Sequence, residues 1–62
     1  MDAFEVLIKQ IDEKVDQLRD YLADGKIEAF EDYKRLCGEI RGLLTAKGYA
    51  KDLKQKLESL DE

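Results

Sequence analysis

The sequence predicts an all-α protein: an antiparallel helical hairpin with a longer second helix, coiled-coil-like packing and assembly into an oligomer. Three observations predict it. Apolar residues recur at alternating spacings of four and three through the first third of the chain, proline is absent among 62 residues, and charge is divided unevenly along the chain. Residues 2–32 carry ten acids and four bases, and residues 33–56 carry two acids and seven bases. An acidic helix folded back on a basic one is electrostatically complementary, which favours a hairpin over a basic face reserved for nucleic acid.

The first helix is expected over about 3–23. Phe4, Ile8, Ile11, Val15, Leu18 and Leu22 make one apolar seam, which Leu7 and Tyr21 widen on one side. Asp2 is placed to cap the start, and Glu5 suits the positive end of the helix dipole. The stop signal is Ala23-Asp24-Gly25-Lys26, where Gly25 can enter the left-handed conformation at little cost. A link of two or three residues then implies antiparallel neighbours.

The second helix is expected over about 27–59, with Glu28, Glu31 and Asp32 near its amino end. Phe30, Tyr33, Leu36, Cys37, Ile40, Leu43 and Leu44 supply the stripe facing the first helix. Ala46, Ala50, Leu53, Leu57 and Leu60 continue it with a shifted edge. Gly48 could bend or break this helix, but the line through residues 43, 50 and 57 stays in phase across it. The second helix would exceed the first by about ten residues, an overhang of about 15 Å. That overhang would carry Leu53, Leu57 and Leu60 beyond the cover of the first helix.

Size restricts how such a fold becomes stable. A chain of this length buries only about 60% of its unfolded surface. With one cysteine and no histidine, it has no intramolecular disulfide and no Cys/His zinc site to help. Idealised helix packing and self-association are the remaining routes. The first residues lack the basic segment of a signal peptide, and no run approaches a membrane span, so a soluble, cytoplasmic protein is expected.

Few residues suggest more than structure. Asp12, Asp16, Asp20 and Asp24 form an acidic ladder, expected to be solvated or to meet a basic partner patch. Carboxylates strung along one helix do not converge into a metal cage, so no metal is expected. Lys34, Arg35 and Arg41 are expected to pair with the acids of the first helix, to stay wet or to grip a partner. Cys37 reads as a small core residue: without histidine the usual base for a catalytic thiol is missing. Gly38 and Gly42, four apart in a helix interior, together cost roughly 2 kcal/mol against alanine. With Thr45 and Tyr49 they form a small-residue groove. Gly38, Arg41, Gly42, Thr45, Tyr49, Leu53, Leu57 and Leu60 are therefore the interface candidates.

The run Tyr33-Lys34-Arg35-Leu36-Cys37-Gly38-Glu39-Ile40-Arg41-Gly42-Leu43 resembles a segment of small proteins encoded by tailed bacteriophages, often near head and DNA-packaging genes. Those proteins pair an amphipathic first helix and a short acidic connection with a charged helical tail. The resemblance implies an accessory or virion-associated protein without enzymatic activity, in the host cytoplasm or the virion. The family-like positions are Tyr33, Leu36, Cys37, Gly38, Ile40, Arg41 and Gly42.

The functional expectation is a non-enzymatic structural or accessory protein, self-associating and docking on a phage or host protein, with no cofactor, membrane or nucleic-acid partner. The rival is an inhibitor or regulator of a host enzyme or nucleic-acid machine that uses the acidic first helix. Nothing in the sequence sets an acid and a base around a common pocket, as an enzyme would need.

Overall fold

The computed structural model describes residues 1–60; Asp61 and Glu62, which close the acidic tail, lie outside the described residues. Two helices, α1 (Ala3–Ala23) and α2 (Phe30–Leu60), pack against each other with opposite directions. Asp2 caps α1 from an extended conformation, its Oδ1 accepting from the Glu5 N–H at 2.8 Å. At the other end the Asp24 N–H donates to the Asp20 carbonyl at 2.9 Å, and Gly25 turns the chain with a φ of +71°. A side chain there would be strained, so glycine is required at this position.

The second helix begins at Phe30, three residues later than expected, so the link is Asp24–Ala29 and not two or three residues. Ile27 gives the physical reason. Nine residues before Leu36, it would lie on the opposite side of α2 if the helix reached back that far, at about 100° per residue. In the link it is instead half-buried, and it lines a depression with Tyr21 and Leu36. The link thereby closes the end of the apolar seam. α2 then runs unbroken through Gly48.

The core is thin. Ile11, Val15 and Leu18 of α1 and Leu36 and Ala50 of α2 are its buried residues. Phe4, Ile8 and Leu22 extend the α1 seam half-buried. On α2, the positions facing α1 are Leu36, Ile40, Leu43, Lys47, Ala50 and Lys54, again alternating four and three. This corrects the expected stripe. Phe30, Tyr33 and Leu44 are exposed, as are Ala46, Leu53, Leu57 and Leu60, while two lysines occupy seam positions.

The overhang is also redistributed. Lys54 reaches Glu5 and Asp2, so residue 54 is level with the first turn of α1. Leu53 therefore lies alongside α1, and only the residues from about 57 onward project beyond its start. The rest of the extra length of α2 lies at the loop end, because the six-residue link starts it below the end of α1.

Candidate functional site

Two lysines join the helices. Lys47 Nζ donates to Asp12 Oδ1 at 2.6 Å, and Lys54 Nζ donates to Glu5 Oε1 at 2.7 Å with Asp2 at 3.5 Å. Both lysine side chains are 24% exposed, their stems covering the seam while the ammonium groups reach its rim. The rungs are seven residues apart on each helix, so both specify the same register. The Glu5 hydrogen bond is the main cause that raises the Lys54 pKa above its ordinary value. Asp2 is held below the usual carboxylate value, first by its hydrogen bond from the Glu5 N–H and then by Lys54.

The sequence reading missed these two lysines as site residues. The 36-40-43-47-50-54 spacing carries the signal, but the apolar residues one place earlier, Ala46 and Leu53, compete with it. The bases singled out instead act locally. Arg35 pairs with Asp32 and Glu39 of its own helix at 3.8 and 3.4 Å, and Lys34 lies 5.6 Å from the Phe30 ring centroid. Arg41 makes no ion pair among the described residues.

The acidic ladder is not one face. A four-residue step advances about 40° beyond a full turn, so the ladder winds around α1. Asp12 stands beside the seam, half-buried and bonded to Lys47, whereas Asp16, Asp20 and Asp24 are exposed. Asp24 approaches Lys26 at 3.8 Å. Among the described residues no cluster of acids, cysteine or histidine could hold a metal ion. No described helix is long and apolar enough to cross a membrane.

The interface candidates are all exposed, but they divide between sectors of α2. Tyr49 is 70% exposed and Leu60 79%; Leu53 and Leu57 are 49% and 43%. These four lie on one flank, and Leu7 of α1 belongs to that flank too. Its row continues through Lys14 and Tyr21, which share a depression with Arg35 of α2. The lysine rungs are directed to the opposite flank. There Cys37, Ile40, Arg41, Leu44 and Thr45 line an open trough. Thr45 spends its hydroxyl on its own helix, donating to the Arg41 carbonyl at 2.9 Å. At Gly38, Gly42 and Gly48 an added methyl would meet nothing within 4 Å, so no contact inside the hairpin requires these glycines.

No family model, curated protein or solved structure matches this chain.

Proposed function

We propose that this chain acts by contact and not by catalysis, as a small helical accessory or structural protein that self-associates and docks on other proteins. The observation that carries the reading is surface area. The hairpin exposes 5025 Å², where a folded monomer of 7.2 kDa exposes about 4,100 Å². The excess of about 900 Å² is close to the roughly 800 Å² that each partner contributes to a standard protein interface. Exposed large side chains contribute to it: Met1, Phe30, Tyr49 and Leu60 are more than two-thirds exposed. The four-three spacing of both seams supports coiled-coil-like packing as the mode of contact. The phage setting, in host cytoplasm or virion, rests on the Tyr33–Leu43 segment alone.

Sedimentation of the wild type beside the Leu53→Glu/Leu57→Glu variant tests the reading. The wild type is expected to be oligomeric and the variant monomeric with its helix content retained. A wild type that stays monomeric at high micromolar concentration would defeat self-association.

One observation favours the rival reading of an inhibitor. Asp16 and Asp20 are exposed and make no ion pair among the described residues, leaving charge free for a basic surface. That function requires tight, salt-sensitive binding that Asp16→Asn/Asp20→Asn abolishes.

A further inference from the structure

We infer that a second copy of the chain covers the flank formed by Leu7, Ala46, Tyr49, Leu53, Leu57 and Leu60, around a twofold axis passing near Leu53. This deepens the self-association reading above and depends on it.

Three observations converge on that arrangement. The flank carries a further seam on each helix, displaced by one residue from the seam inside the hairpin. On α1 it reads Ala3, Leu7, Gln10, Lys14, and on α2 Gly42, Ala46, Tyr49, Leu53, Lys56, Leu60, in the same four-three alternation. One residue is about 100° of helix, so both further seams turn to one side of the hairpin. A hairpin placed there meets two helices at once, and four helices then enclose a core that two cannot.

Charge selects this flank over the other. The lysine rungs to Asp12 and Glu5 are directed to the opposite side. At the open end, Leu7, Gln10, Ala46, Tyr49 and Leu53 form an uncharged stretch bounded by Lys14 and Lys56. Covering it leaves every interhelical ion pair intact, and Lys56, the one charged position of the α2 seam between Leu53 and Leu60, can hold its ammonium at the edge of the contact on its flexible stem.

The α2 residues are arranged symmetrically about Leu53. Tyr49 and Leu57 lie four residues to either side, and Ala46 and Leu60 lie seven. A self-complementary interface brings residue i of one copy to residue j of the other and j to i. An antiparallel twofold at Leu53 therefore sets Leu53 against its own copy, Tyr49 against Leu57, and small Ala46 against large Leu60. The copies overlap at their open ends and point their loops in opposite directions. The missing area supports a second copy as the occupant, because the exposed excess matches one partner's share of a stable dimer interface.

Oxidative cross-linking tests the arrangement separately from self-association itself. In a Cys37→Ser background, Leu53→Cys is expected to form a covalent dimer on mild oxidation, and Leu44→Cys on the opposite flank is not. A mixture of Tyr49→Cys and Leu57→Cys chains should yield mainly the mixed disulfide. Circular dichroism before oxidation confirms that each variant is folded, and the 49/57 pair reports the same axis if Leu53→Cys is not. If sedimentation finds dimers but Leu44→Cys cross-links and the 53 and 49/57 variants do not, this flank is wrong while self-association stands. If the wild type is monomeric, both readings fall.

Discussion

Lys47 and Lys54 show how much a single side chain decides in a hairpin with so small a core. Each sits where an apolar residue would pack, and each reaches a carboxylate on α1. Asp12 is 46% exposed, so solvent screens its pair and the contribution to stability should be at most about 1 kcal/mol. Asp12→Asn is expected to lower the unfolding free energy by that amount in low salt and by less in molar salt. Denaturant titrations at both ionic strengths check it. The pH dependence at acid and alkaline extremes follows from the shifts of Asp2 and Lys54. The Asp2 pKa is depressed on folding, so its contribution is present above the unfolded value of about 3.9 and disappears as pH falls through the lower folded value. The Lys54 pKa is raised, so its contribution is present below about 10.4 and disappears as pH rises through the higher folded value. Thermal melts should therefore show losses at both extremes. Asp2→Asn should blunt the acid loss, and Lys54→Met the alkaline one. If the melting temperature varies with pH identically in the variants, these pairs do not matter.

Among the elements, the two types of glycine separate cleanly. Gly48 lies in the interior of α2 with normal helical geometry and open space beyond its Cα. Gly48→Ala should stabilise the chain by about 1 kcal/mol, seen as a melting temperature several degrees higher. Gly25 has a φ of +71°, where a β-carbon meets the backbone, and Gly25→Ala should destabilise by about 1 kcal/mol despite equally open space. Equal effects at the two sites would show that the turn does not hold this conformation. The boundaries of α1 were legible because Asp2 and Gly25 are strong local signals. The start of α2 was not: no side-chain cap marks it, and the acids near it suit any of several starting residues. What accompanies the start at Phe30 is Ile27, which stays in the link, half-buried, and lines a depression with Tyr21 of α1 and Leu36 of α2.

At the scale of the whole molecule, the described residues span 52 × 19 × 11 Å, a rod two helices wide. Such a shape encloses only a thin core, and most residues of each helix are exposed. If two copies overlap at their open ends, the melting temperature should rise with protein concentration, because mass action favours the folded dimer. A melt independent of concentration over two orders of magnitude would argue for a stable lone hairpin. The dimer should also be more elongated than a full-length four-helix bundle, and small-angle scattering would distinguish the two shapes.

By itself the sequence determined that the chain is helical, where α1 begins and ends, and which of its faces is apolar. These depend on interactions among residues within a few positions of one another: a cap, a period, a left-handed glycine. Tertiary structure alone decided how far α2 slides along α1, because that is set by Lys47 and Lys54 reaching acids 35 and 49 residues away. The same register decided which apolar residues are covered. With Lys47 and Lys54 in the seam in place of their neighbours Ala46 and Leu53, α2 is turned by about 100° from the orientation that would bury the leucines, and they lie on an open flank.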